Sequence, residues 1–126
     1  MRPAAGGKMK YQQVRKYTDQ EILNILNYGT DEELKILPLS VGEFHLDYQY
    51  AQDVCFLLLQ NSNEDIRANA ILGLSYIARR YGTLNIEKLK ELLAGRQSFS
   101  TANTGRVEDA LEDISLFLNE NIELKL

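Results

Sequence analysis

Acid–base and metal chemistry draw on a short list of side chains, and this chain supplies few of the versatile ones. It has one histidine, His45, and one cysteine, Cys55. A Ser–His–Asp relay needs a histidine to take the nucleophile's proton and a carboxylate to orient the ring. His45 lies in "EFHLDYQY" with Asp47 two residues on. Its place at the expected start of a helix makes it a packed or capping group rather than a base. Zinc takes about four ligands, and one histidine with one cysteine inside the apolar run "VCFLLL" cannot provide them. A single cysteine also leaves no disulfide framework. The stretch "GRQSFSTANTG" has glycine only at its two ends, so it matches neither the P-loop nor the dinucleotide spacing, and no strand precedes it. The expectation is a chain with no catalytic residue, no metal and no cofactor, and therefore no enzyme.

Carboxylates are the richer resource. Glu108, Asp109, Glu112 and Asp113 fall on one helical segment, with Glu108–Glu112 and Asp109–Asp113 at i, i+4. Like charges so placed cost about 0.2–0.5 kcal/mol per pair. The macrodipole of a helix beginning near Arg106 would favour Glu108 and Asp109, but would not reach Glu112 and Asp113. Two readings stay open: a solvated face, or a patch held ready for Lys and Arg of a partner. Tyrosines form a second candidate, because Tyr48, Tyr50 and Phe44 bracket His45 while Tyr76 and Tyr81 flank Arg79 and Arg80. Tyrosine and arginine are enriched among the residues that carry binding energy at interfaces. The candidate partner-binding set is Glu108, Asp109, Glu112, Asp113, Asn69, Tyr76 and Arg80.

Charge is unevenly placed along the chain. Residues 1–16 hold five basic groups (Arg2, Lys8, Lys10, Arg15, Lys16) and no acid, which leaves nine basic and eighteen acidic residues in the remainder, a net of −9. Such a body repels nucleic-acid phosphate and favours a cationic partner. The opening "MRPAAGGKMK" lacks the apolar core of about 7 to 15 residues of a secretory signal. No charge-free stretch approaches the roughly 18 apolar residues of a membrane helix. The expected setting is a reducing cytoplasm, with residues 1–10 as a flexible leader and 11–126 as a single domain.

Helical start and stop signals organise that domain. "TDQEILNIL" and "GTDEELKIL" each open on a capping box, Thr18 with Glu21 and Thr30 with Glu33. Pro38 is expected to kink or stop the second helix. A third helix runs from about Asp47 to Gln60, a fourth from the cap Asn63 to about Arg80 with Gly82 as its stop, and a fifth from the cap Asn85 to Gly95. After the polar "RQSFSTANTG", expected to be a loop, "RVEDALEDISLFLNE" gives a sixth helix with Val107, Ala110, Leu111, Ile114, Phe117 and Leu118 on one stripe. Gly73 in the fourth helix costs about 1 kcal/mol against alanine. A close helix approach at that point would explain it.

The hairpins resemble one another. At an offset of 32 residues, 29–39 falls on 61–71 and matches Glu32 with Glu64, Leu34 with Ile66 and Lys35 with Arg67. At an offset of 40, Ala70, Leu74 and Ile77 fall on Ala110, Ile114 and Phe117. Periods of this size in helical sequence point to a stacked array in which each hairpin buries its apolar face on its neighbours. "LLLQNSNEDIRANAILGLSYIA" resembles a HEAT repeat: the end of one helix, a polar turn, then a second helix opening with an apolar residue and arginine. The resemblance is strongest over 52–80, continues over 86–118, and over 18–43 meets Pro38 where a small residue belongs. It implies an all-α fold, a right-handed α-α superhelix of about six helices in three antiparallel hairpins, with Arg67 and Asn69 bonded across the turn or to the next repeat. Small acidic proteins of this fold are found among the cytoplasmic immunity proteins of bacterial toxin systems. By that likeness the function is occlusion of a basic, nuclease-like toxin by an acidic helical face. The alternatives are a general adaptor or assembly factor, or a ligand-binding or enzymatic HEAT-like protein.

Overall fold

Each helix begins where a short polar side chain can take up its orphan amides. In the computed structural model, which describes residues 14–95 and 98–119, the first two helices open on complete capping boxes. Thr18 Oγ1 accepts from Glu21 N at 3.1 Å while Thr18 N donates to Glu21 Oε1 at 2.8 Å, and Thr30 with Glu33 repeats the exchange at 3.2 and 2.9 Å. These launch α1 (Asp19–Tyr28) and α2 (Asp31–Phe44). Asp47 caps α3 (Tyr48–Leu58), Asn63 caps α4 (Glu64–Tyr81) and Asn85 caps α5 (Ile86–Ala94). Gly82, at φ 68°, closes α4 in the left-handed conformation that glycine adopts without cost. Among the described residues all regular structure is helical, and no helix is long and apolar enough to cross a membrane.

Two boundaries differ from the sequence expectation. First, of the kink or stop expected at Pro38 the stop does not occur, and α2 runs on to Phe44. Proline removes one amide donor and crowds the preceding turn, and here packing offsets that cost: Pro38 is fully buried against α4. Second, α6 spans Thr101–Leu118, so "TANTG" is its first turn rather than loop. Tertiary bonds supply what the composition lacks. Asn103 is buried and donates to Glu64 Oε1 and Asp65 Oδ1 at 3.1 and 2.8 Å, and Ser100 N donates to Glu64 Oε1 at 2.6 Å. Glu108 and Asp109 consequently sit well inside the helix, beyond reach of its positive end, and the macrodipole does not account for them.

Helix α4 is the centre, packed along one flank by α2 and along the other by α6. Helix α3 leans on both α2 and α4, whereas α1 packs on α2 alone. Gly73 fits the expected close approach: a Cβ there would press on the Pro38 carbonyl and stand 2.9 Å from Cys55 Sγ. Gly42 completes the contact, since its own Cβ would lie 2.5 Å from Gly73 O. Around this crossing the core holds Leu37, Val41, Ile71, Leu74 and Ile77, with Val107 and Ile114 of α6 beyond. Helix α5 approaches no other helix extensively, but it buries Leu89 and its cap amide Asn85 N donates to the buried Gln52 Oε1 of α3 at 2.5 Å. The expected leader, residues 1–10, lies outside the described residues.

Candidate partner-binding surface

The stretch "NEDIRANA" builds a polar ladder across the starts of α2, α4 and α6. Arg67 Nη1 donates to the carbonyls of Asn61 and Ser62 at 3.0 Å, and Nη2 donates to Ser98 O at 2.7 Å, so one guanidinium ties its own turn to the next. Its plane also stands over the Phe99 ring at 5.3 Å. Asn69 Nδ2 donates to Lys35 O of α2 at 2.8 Å, and Asn69 Oδ1 accepts from Arg106 of α6. Arg106 Nη1 donates to Asn103 Oδ1 at 2.9 Å, and Asn63 Nδ2 reaches Asp31 Oδ2 at 3.2 Å. The arginine and neighbouring asparagine singled out in the repeat are thus spent on joining hairpins. Hydrogen bonding from Ser100 and Asn103 lowers the Glu64 pKa, and bonding from Asn103 lowers that of Asp65.

At the opposite end of α4, Arg80 is equally engaged. Its Nη1 donates to Gly42 O at 2.9 Å and its Nη2 to His45 O at 2.8 Å, fastening the α2–α3 turn. Tyr81 OH lies 3.2 Å from the carbonyls of His45 and Leu46. His45 itself is the C-terminal cap of α2. Asp47 N donates to His45 Nδ1 at 3.0 Å, so the ring proton is on Nε2, which donates to Asp19 Oδ1 at 2.8 Å. With both nitrogens engaged in holding the turn, the ring has no lone pair aimed at a substrate. Burial raises the Cys55 thiol far above its usual range, and Cys55 packs under Pro38 O.

The remaining candidates stand open. Glu108, Asp109, Glu112 and Asp113 are all exposed, and among the described residues none has an ion-pair partner. Helical geometry divides them. Asp109 and Asp113 lie on the side of α6 that carries Arg106, next to α4, whereas Glu108 and Glu112 turn outward. Tyr76 is half-buried on α4 with Arg79 over its ring at 5.1 Å, and Arg79 in turn meets Glu43 of α2 at 3.6 Å. Desolvation, with Glu43 nearby, raises the Tyr76 pKa. Of the expected set, Asn69 is bound to α6 through Arg106, Tyr76 lies beside Arg79 on α4, the four acids stand exposed on α6, and Arg80 lies behind the far turn. The two tyrosine clusters meet through one pair, Tyr48 and Tyr81, which are 33 residues apart in sequence and edge-on at 5.4 Å, while Tyr50 tilts against His45 at 5.0 Å.

Sequence reasoning did not reach one feature, a cavity of about 560 Å³ lined by Arg15, Tyr17, Glu21, Ile25, Tyr28 and Glu33. Arg15 reaches Glu21 at 2.9 Å and stacks over Tyr17 at 4.3 Å. That guanidinium, with the capping bond from Thr18 N, holds the Glu21 carboxyl down to about 2. None of the candidate partner-binding residues lines this cavity.

No family model matches the chain, and no curated protein is similar to it. Among solved structures, it is similar to a chain in the crystal structure of a CDI complex from Cupriavidus taiwanensis LMG 19424, with a TM-score of 0.67 and 24% identity over 85% of this chain and 96% of that chain. The likeness extends over nearly the whole of that chain and is one of fold.

Proposed function

We propose that this protein is a non-enzymatic immunity factor, a HEAT-like right-handed stack of three hairpins that binds and occludes a basic toxin domain of nuclease type in the cytoplasm. The observation that carries the reading is the fold shared with a chain of a CDI complex. It takes CDI as contact-dependent inhibition, a pairing of toxin with immunity protein, and the matched chain as the immunity partner. The surface agrees with that role. Four exposed carboxylates on α6, without cationic partners among the described residues, repel one another, and lysine or arginine side chains of a partner would relieve the repulsion. Acids so displayed steer a basic protein to its binding site, where the bound chain would cover the cations that a nuclease needs for phosphate. The fully engaged His45 fits an inhibitor better than a catalyst.

Capture from the native host, with the chain as bait and washes at low and then high salt, tests this reading. Retention of one basic protein whose nuclease activity disappears on addition of the chain is the expected result. Capture of a salt-resistant multisubunit complex instead would convert the reading to an adaptor.

A further inference from the structure

The α2–α3 turn displays a leucine that nothing in the fold requires to be exposed. Leu46 is 76% exposed, and Phe44 beside it in sequence is partly so. Exposed apolar side chains that sit singly are ordinary on surfaces, and what distinguishes Leu46 is the turn that carries it. This turn is fastened from three sides. Arg80 holds the carbonyls of Gly42 and His45, the Tyr81 hydroxyl stands between those of His45 and Leu46, and the His45 ring bridges Asp19 and the Asp47 amide. Ring contacts add to this: Tyr50 tilts against His45 at 5.0 Å, and Tyr81 meets Tyr48 of α3 at 5.4 Å. A rigid loop surrenders little conformational entropy on binding, and a large apolar side chain presented on one is suited to anchor an interface.

Charge identifies what would cover it. From residue 36 to residue 66 the chain has no lysine or arginine, while Asp47 and Asp53 follow the turn in sequence and are left over once Glu43 is paired with Arg79. Arg80 is directed inward at carbonyls and Arg79 is matched by Glu43. We propose that Leu46, with Phe44 beside it, is the apolar anchor of the partner interface, entering an apolar pocket rimmed by lysine and arginine on the basic partner. The inference rests on the immunity reading and gives that partner a second chemical requirement besides charge. Arg80 then acts as a positioning residue, reaching the partner only through Leu46.

The test is calorimetric titration of the full chain with the basic toxin domain recovered by capture from the native host. Leu46→Asp should weaken binding by about tenfold or more, the scale of an anchor residue, and leave the melting temperature unchanged. Leu23→Asp, on α1 and also exposed, should bind like the parent. In a double-mutant cycle, Arg80→Gln should weaken binding in the parent but add little once Leu46 is alanine. Parental affinity in Leu46→Asp, an equal loss in Leu23→Asp, or full additivity in the cycle would overturn the proposal while leaving the immunity reading standing. Failure of the parent to bind the toxin domain would overturn both.

Discussion

Helices α4 and α6 have the same length of 18 residues and both carry side chains that the sequence offers to a partner, yet they spend their polar groups in opposite ways. On α4, Glu64, Asp65, Arg67, Asn69 and Arg80 all hold groups in neighbouring turns. On α6, Arg106 and Asn103 do the same at the first turns, but the four acids beyond them have no ion-pair partner among the described residues. Position among the helices explains the contrast. A helix flanked on two sides has neighbours for its polar groups, and a helix at the edge has solvent. The same residue types therefore mean structure on α4 and availability on α6.

The strongest way to break the comparison is at the crossing that makes α4 central. Gly73→Val should destabilise the fold by about 3 kcal/mol, the upper range for overpacking, because the new side chain meets backbone at Pro38 rather than a movable side-chain end. A urea midpoint close to the parent's would mean that α2 and α4 are not locked there. Arg67→Ala comes next, at about 2 kcal/mol, since it strips charged hydrogen bonds from three turn carbonyls. Lysine at this position should recover less than half of the loss, as an ammonium cannot span Asn61 and Ser98 together. Full rescue by lysine would show that charge alone, and not the fork of bonds, holds the turns.

On α6 the expected sign reverses. Replacing Glu108, Asp109, Glu112 and Asp113 with glutamine or asparagine should leave thermal stability unchanged or raise it by up to about 1 kcal/mol, through relief of two like-charged pairs. Binding to the basic partner should weaken, most at low salt. A destabilised variant would mean that these acids have structural duties like those on α4, and unchanged affinity with helicity preserved would remove them from the interface.

Much of the fold was legible because its signals are local. Capping boxes at Thr18 and Thr30, the caps Asp47, Asn63 and Asn85, and the stop at Gly82 are each a matter of a few adjacent residues. Gly73 was legible as a contact point since only packing justifies glycine in a helix interior. The start of α6 was not, because "TANTG" reads as loop until Asn103 finds Glu64 and Asp65, some 38 residues away. Continuation of α2 through Pro38 was hidden for the same reason. The candidate site fared similarly. Exposure of the acids followed from helical period, but the engagement of Asn69 and Arg80, and the meeting of Tyr48 with Tyr81, depend on pairings that no local pattern encodes.

The smallest effect separates the carboxylates of the two helices by pH. Glu64 and Asp65 have lower pKa values folded than unfolded, so across the carboxylate range the unfolded chain binds more protons. Their contribution to stability is therefore complete above the ordinary carboxylate range and is lost as pH falls through it toward the lowered folded values. Asn103→Ala removes the leading cause for Asp65, and for Glu64 the second after the Ser100 amide. The difference in urea midpoint between about pH 7 and about pH 3 should then be smaller in Asn103→Ala than in the parent. Both carboxylates are only half-buried, so solvent keeps the change modest. An equal difference would mean that the ladder's acids gain nothing from their bonds, and that α4 and α6 hold their carboxylates alike.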